Sequence, residues 1–378
     1  MKQYAQVAGW GKAVPSRILH NRDFEKMVDT TDEWIRERTG IIERRHAGPK
    51  DSTGTLAVRA AQEALEVADQ SPAKIDMILV ATMTPDRIMP SVASYVQDSI
   101  GASHAGALDL NAACSGFVYG LTLANALISS GTYRNVLLIG AETMSRFLDF
   151  TDRRTCILFG DGAGAVLLQA SETPGGLLAC VLGSDGSGGD LLQIPAGGSR
   201  VPASLDTVRA RQHFIQMSGN EVFRFAVTTA VRSTREALRD AQLEVGDVDL
   251  FIPHQANVRI LHAMAKSLGI PLEKVFINVD RFGNTSSASI PIALCEAMEA
   301  GRIQPGRNVA MVGFGGGLTW GAAIFKWGTP VTSGEIPWWR HVVHNLRERE
   351  ASIRSLAVKT GRRIDSLRLP SGDNGVGG

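Results

Sequence analysis

Three stretches of this chain carry side chains able to do acyl chemistry. In LDLNAACSGFVYGL, residues 108–121, one cysteine, Cys114, stands between a strand-like run and a helical pattern. The pattern predicts a helix opening at Cys114, with its first-turn N–H groups facing the sulfur. Such a terminus stabilises an anion by up to about 2 kcal/mol when partly buried, equivalent to a pKa lowered by about 1.5. A free thiol near ~8.5 would then ionise around neutrality. The neighbours Ala112, Ala113, Ser115 and Gly116 are small enough to let an acyl group approach. They also suit an inert cysteine filling a core, which is what most buried cysteines are. FIPHQANVR, 251–259, ends an apolar strand at His254, and RFGNTSSASIP, 281–291, puts Asn284 after a glycine at the mouth of a helix. Taken singly, a histidine is usually structural and Gly-Asn is a common turn dipeptide. GFGGGLTWG, 313–321, leaves the backbone of Gly315, Gly316 and Gly317 bare of side chains. An N–H from that loop and the N–H of Cys114 could form an oxyanion hole, where each donor is worth about 3–4 kcal/mol in acyl transfer. The competing reading is a flexible hairpin.

An internal repeat links these stretches. An offset of 173 residues lays EALEVADQSPAKIDMILVA from Glu63 over EALRDAQLEVGDVDLFIPH from Glu236, and NVLLIG at 135–140 over NVAMVG at 308–313. It also carries Asn111 onto Asn284 and Cys114 onto Ser287. Several matches in order at one offset imply two homologous halves. The cysteine turn and the asparagine turn are then symmetry mates, expected to face each other, so that cysteine, histidine and asparagine can converge.

In each half a helical pattern precedes a short apolar strand, a small-residue turn opens another helix, and a buried strand follows. Strands alternating with helices predict largely parallel sheets covered on both faces, an α/β architecture, with ligands near the carboxyl ends of the strands. The halves are assigned to residues 1–173 and 174–327. Residues 328–378 have no counterpart. They end in PSGDNGVGG, which reads as a flexible extension, although Val343, Leu346, Ile353 and Leu356 could line one helical face. GDGAGA, 160–165, fits the G-x-G-x-x-A form of a dinucleotide fingerprint, but AVLLQA after it reads as a strand where that motif needs a helix. A tight connection between strands is the expectation, and no nicotinamide site is assigned.

Charge and composition narrow the remaining classes. A formal net charge of +1 gives no bulk attraction to nucleic acid or anionic membrane, and no nucleic-acid or membrane partner is expected. No run reaches the roughly 18–20 apolar residues of a membrane span, and MKQYAQVAGWGKAVPSR has no apolar core of a secretory signal. Cys114, Cys156, Cys180 and Cys295 are too scattered for metal or redox spacing. A cytoplasmic location and no metal are the expectations.

AACSGF, PHQAN, GNTSSAS and GFGGGLTWG, in that order, resemble the thiolase superfamily, and within it the β-ketoacyl-acyl-carrier-protein synthase III family; DTTDEWIRERTGI at 29–41 and FGDGAGA add to the likeness. The resemblance covers about residues 1–327. It implies a five-layered αβαβα fold, a cytoplasmic homodimer, and condensation of an acyl-CoA primer with malonyl-acyl carrier protein to start a fatty acid. CoA is then a substrate, and no cofactor is implied. Carried over motif by motif, Cys114 is the nucleophile, Cys114 and Gly316 supply the oxyanion N–H groups, and His254 with Asn284 handles malonyl decarboxylation. Trp34, Arg38, Arg153, Met217, Gly219, Phe223, Ala256 and Asn257 match positions that hold CoA. Arg259 matches a carrier-protein contact, Phe314 a residue beside the malonyl site, and Met89 a residue that closes the acyl pocket of the neighbouring subunit. Arg154, where a small residue is frequent, and Leu318, where an aromatic is frequent, depart from the pattern. A pathway-specific acyltransferase or a ketosynthase of secondary metabolism would use the same acyl-cysteine.

Overall fold

A computed structural model describes residues 2–328 together with Ile353, Ser355, Ala357, Val358 and Thr360. Two sheets form the frame. The first holds β1 (Tyr4–Ala13), β2 (Met77–Ala81), β3 (Gly106–Leu110), β4 (Asn135–Thr143) and β5 (Asp161–Ser171) in the order β1-β5-β4-β2-β3. Here β4, β2 and β3 are mutually parallel, whereas β5 runs antiparallel to both β4 and β1. The second holds β6 (Gly176–Ser184), β7 (Leu250–Pro253), β8 (Asn308–Gly315) and β9 (Thr319–Lys326) in the order β7-β8-β9-β6, with β7 parallel to β8.

Side-chain alternation along these strands builds the layers. In β4, Val136 and Leu138 point to one face while Leu137 and Ile139 point to the other, as the two-residue period of a strand requires. The first pair meets Val309 and Met311 of β8 in a core shared by both sheets. Between the sheets lie α4 (Gly116–Ser129) and α7 (Ser289–Glu299). Phe117, Val118, Leu121, Ile290, Leu294 and Met298 of these helices are all buried there. A helix covered on every side has little amphipathic pattern to show, which fits the apolar make-up of both segments. Outside the first sheet pack α2 (Thr53–Val67) and α3 (Val92–Ile100); outside the second pack α5 (Gly219–Asp240) and α6 (Val258–Leu268). The helix α1 (Asp32–Thr39) stands at one end, with Gly40 after it packed on Val258. The result is a helix–sheet–helix–sheet–helix stack.

The 173-residue offset recurs in these elements: β2 and β7, β4 and β8, and α4 and α7 begin one repeat apart. So do the short turns Ala113–Ser115 and Ser286–Ala288. The GDGAGA run is not a connection between strands. Its residues from Asp161 lie inside β5, and the glycines serve packing: a side-chain carbon on Gly164 would sit 2.7 Å from Ile292 N. Gly140 in β4 plays the same part for the Asn284 turn, since its Cβ would lie 2.3 Å from Ser287 O. Gly140→Ala therefore overpacks the site, and about 1–3 kcal/mol of destabilisation is expected, read as a lower melting temperature in thermal unfolding.

No helix among the described residues is long and apolar enough to cross a membrane. Of the face expected in the C-terminal extension, Val343, Leu346 and Leu356 lie outside the described residues. Ile353 is helical and largely exposed, and Ser355 Oγ donates to Asp98 Oδ2 at 2.9 Å.

Candidate active site

The carboxyl ends of β2, β3 and β8 deliver Met83, the Cys114 turn and the Gly316–Gly317 backbone to one cavity, and His254 follows β7, the strand beside β8. The helix expected to open at Cys114 does not. Cys114 sits in a 3-10 turn, Ala113–Ser115, and the α-helix begins at Gly116. Ala113 takes a left-handed φ of 47°, a conformation that costs a non-glycine residue about 1–2 kcal/mol. The turn is held by Asn111 Oδ1, which accepts from Ala113 N at 3.2 Å, and by Ser115 Oγ, which donates to Ala112 O at 2.7 Å. The asparagine turn repeats this build: Ser286 has φ 50°, and Asn284 Oδ1 accepts from Ser286 N at 2.8 Å.

The two turns meet. Cys114 Sγ donates to Ser286 Oγ at 3.4 Å, and Cys114 and Asn284 are both buried. The thiol differs from the sequence expectation. Burial pushes its pKa up to about 12, the Ser286 hydroxyl lowers it, and the negative charge of Glu142 raises it again. The helix N-terminus contributes at most about 2 kcal/mol, and desolvation of the buried sulfur outweighs that.

His254 closes β7, anchored by its backbone N–H to Val312 O at 2.8 Å. Its imidazole is buried, its pKa pushed down to about 3 by desolvation, and its Nδ1 has no hydrogen-bond partner. The ring is neutral at any working pH. Phe314 packs on it edge to face, ring centroids 5.2 Å apart at 73°.

Cys114 and Gly316 line one cavity of about 930 Å³, together with apolar Met83, Ile88, Leu192 and Ile215. Gly315 is needed bare beneath it, because a Cβ there would sit 2.7 Å from Cys114 N. None of the eight residues expected to hold CoA lines this cavity. Three of them cluster elsewhere: the guanidinium carbons of Arg153 and Arg38 lie 4.9 and 5.9 Å from the Trp34 ring centroid. Asn257 joins them by donating its side-chain N–H to Arg38 O at 3.1 Å, and it caps α6 by accepting from Arg259 N at 2.8 Å. Ala256 N–H donates to His254 O at 3.0 Å, which ties that cluster to the histidine. Met217 pairs with Leu192, Gly219 opens α5, and Phe223 packs on the outer core of the second sheet.

Arg259 is exposed. Met89 is 85% exposed beside Ile88 at 91%, so it closes no pocket of its own chain. Arg154 is held by Asp152, Nε to Oδ1 2.9 Å, and Leu318 is buried against Gly188. No group of three or more His, Cys, Asp or Glu side chains placed to hold a metal ion occurs among the described residues.

Glu142 was not singled out by its sequence context, yet it lies under both turns with no exposure. The one available signal was a carboxylate at the end of the otherwise apolar run NVLLIGAET.

Comparison with known proteins places this arrangement. The pattern described as 3-Oxoacyl-[acyl-carrier-protein (ACP)] synthase III matches residues 108–186, and its C-terminal counterpart matches residues 238–327. The beta-ketoacyl-[acyl-carrier-protein] synthase III of Roseiflexus sp. (strain RS-1) is 50% identical over 327 residues, 86% of this chain and 99% of that protein. The crystal structure of 3-oxoacyl-[acyl-carrier-protein] synthase III from Aquifex aeolicus superposes with a TM-score of 0.80 at 45% identity, over 85% of this chain and all of that one. The priming β-ketosynthase of the R1128 polyketide biosynthetic pathway gives a TM-score of 0.81 at 37% identity, over 87% of this chain and 98% of its own. The five layers are accordingly those of the thiolase fold, and the chain belongs to the β-ketoacyl-acyl-carrier-protein synthase III family of condensing enzymes.

Proposed function

We infer that this enzyme condenses an acyl-CoA primer with malonyl-acyl carrier protein, through an acyl-Cys114 intermediate, to give a 3-oxoacyl-acyl carrier protein. The observation that carries the assignment is the meeting of the two turns, Cys114 Sγ against Ser286 Oγ at 3.4 Å, at the wall of an apolar cavity that also presents Gly316. The Cys114 thiolate attacks the thioester carbonyl. The N–H groups of Cys114 and Gly316 take the oxyanion, and collapse expels CoA. The apolar cavity accepts the acyl chain, and Met89 of a second copy, exposed on each protomer, covers it in a homodimer.

Malonyl-carrier protein then enters, with the exposed Arg259 as a docking charge. Loss of CO₂ leaves an enolate. The neutral His254 ring and the NH₂ of Asn284 donate hydrogen bonds to its oxygen without offering a proton acidic enough to quench it. Phe314 holds the His254 ring in place. The enolate carbon attacks acyl-Cys114, and no metal or organic cofactor takes part.

Labelled acetyl-CoA and malonyl-carrier protein test this directly. The expected result is label on Cys114, followed by CO₂ and ketoacyl product in equal amounts. Label without CO₂ would make the enzyme a simple acyltransferase, and absence of label would refute the assignment. The likeness to a polyketide priming ketosynthase supports a second reading in which the same reaction feeds another assembly line, and a panel of acyl-CoA primers separates the two.

The Trp34, Arg38 and Arg153 cluster, joined by Asn257 through Arg38 O, offers an aromatic face for adenine and two cations for phosphates. Trp34→Ala is expected to raise KM for acetyl-CoA about ten-fold with kcat nearly unchanged, the sign of lost uniform binding, measured by steady-state kinetics at saturating malonyl-carrier protein.

A further inference from the structure

Beneath the two turns lies a group that the reaction above does not use. Glu142, near the end of β4, is fully buried. Six donors converge on its carboxylate. From the Thr82–Thr84 loop come the Thr82 and Thr84 hydroxyls at 3.2 and 2.5 Å and the Met83 and Thr84 N–H groups at 3.2 and 3.1 Å. From the asparagine turn come Ser286 Oγ at 3.1 Å and Ser287 Oγ at 2.9 Å, both to Oε1, the Ser287 proton being shared with Ala81 O at 2.7 Å. Ser286 Oγ is also the acceptor for Cys114 Sγ. Thiol, hydroxyl and carboxylate therefore form one directed chain, S–H to O–H to Oε1.

Around Glu142 pack Thr82–Thr84, Ala113–Ser115, Ser286–Ala288 and the neighbouring strands β2 and β5; their titratable side chains are Cys114 and Asp161, and Asp161 pairs with Thr143 and accepts from Ala47 N and Ser145. No lysine, arginine or histidine belongs to those segments. A carboxylate buried without a cation is costly, and its pKa is raised by that burial in spite of its donors. The same charge opposes formation of a thiolate at Cys114. Moving one proton from the sulfur to the carboxylate resolves both conflicts at once, since the site carries one negative charge before and after.

We propose that Glu142 is the proton acceptor for Cys114, acting through the Ser286 hydroxyl as a positioning residue that never touches substrate. The Cys114 S–H bond breaks as its proton passes to Ser286 Oγ, and the Ser286 O–H proton passes to Glu142 Oε1. The thiolate adds to the acyl-CoA carbonyl, the C–S bond to CoA breaks, and the proton returns through Ser286 to the departing CoA sulfur. Protons and charge balance: acyl-CoA and thiol become acyl-cysteine and CoA-SH. The proposal rests on Cys114 being the nucleophile.

Ser286→Ala cuts the relay and leaves the carboxylate in place. The backbone tolerates it, because Ala113 adopts the same left-handed conformation in the symmetry-related turn, φ 47° against 50°. The experiment follows iodoacetamide alkylation of Cys114 by peptide mass spectrometry in the full chain between about pH 7 and 9, beside the rate of acetyl transfer from acetyl-CoA. A pair sharing one proton titrates as a unit, so the wild-type alkylation rate should change by less than about two-fold across that range. In Ser286→Ala and Glu142→Gln the thiol must lose its proton to solvent. The rate should fall at least about ten-fold at pH 7 and then climb about ten-fold per pH unit, because the thiolate is the reactive species.

Faster alkylation in Glu142→Gln would show that the carboxylate only repels the thiolate, and an equal deficit at every pH in Ser286→Ala would show a merely structural hydroxyl; either overturns the relay. Should Glu142→Gln fail to fold by circular dichroism, Ser286→Ala decides alone, with any fall smaller than ten-fold at pH 7 counting against the relay. Acetyl label found on a residue other than Cys114 in the wild type would instead sink the nucleophile assignment, which keeps the two failures apart.

Discussion

Cys114→Ala is expected to eliminate ketoacyl product, with kcat/KM for condensation falling at least about 10⁴-fold, because no other group present can carry the acyl chain between the two half-reactions. The remaining cysteines do not substitute. Cys156 and Cys295 are buried, with thiol pKa values raised by desolvation, the former to about 11. Cys180 lies on β6, paired with Ala323 of β9 and away from the cavity. The fold should survive, since Cβ is kept where Gly315 packs on it and the neighbouring turn residues are already small. Intact-mass measurement after incubation with acetyl-CoA provides the check: the wild type gains one acetyl group and the variant none. An acetylated variant that still condenses would overturn the assignment of this cysteine.

His254→Ala should separate the two halves of the reaction. A donor aimed at a developing oxyanion is worth about 10²–10³ in rate, so decarboxylation of malonyl-carrier protein and formation of product are expected to fall by that much. Acylation of Cys114 should stay within about three-fold of wild type, because the proton leaves the sulfur toward Ser286 and not toward the imidazole. The choice of His254 over Asn284 follows from their contacts. The His254 Nδ1 has no partner to lose, whereas the Asn284 amide oxygen holds Ser286 N–H at 2.8 Å, so truncating the asparagine disturbs the acylating side as well. Single-turnover acylation and CO₂ release, measured on the same preparation, give the two numbers. Equal loss of both steps would count against an enolate-binding role for this ring.

The neutral state of His254 carries a pH consequence. Its pKa lies near 3 because burial penalises the imidazolium, so the ring is uncharged above that value and takes no part in any acid limb of the rate between about pH 5 and 9. A limb in that range belongs to another group.

How much of this was written in the residues can be argued element by element. The offset that carries Cys114 onto Ser287 and Asn111 onto Asn284 is a property of the chain, and the paired turns Ala113–Ser115 and Ser286–Ala288 follow from it. The strands were legible because the continuous apolar runs in NVLLIG and NVAMVG mark strands buried on both faces. GDGAGA misled as a connection because glycine usually marks turns, and the demand here came from α7 pressing on Gly164. The cysteine helix starts at Gly116, later than its residue pattern indicates, because a left-handed alanine at Ala113 leaves no residue-type signal. Glutamate at 142 was visible as a letter and mute as a site, since its six donors come from two segments, Thr82–Thr84 and Ser286–Ser287, both distant from it along the chain.

The sequence by itself determined the candidate groups, the duplicated frame and the order of the motifs, because these are local patterns of residue type and period. Only the tertiary structure decided the ionisation of those groups. Burial raised the Cys114 thiol and held His254 neutral, and the contact between the two turns placed Ser286 between sulfur and Glu142. Desolvation and long-range hydrogen bonds depend on what surrounds a side chain in space, and neither is a function of its neighbours along the chain.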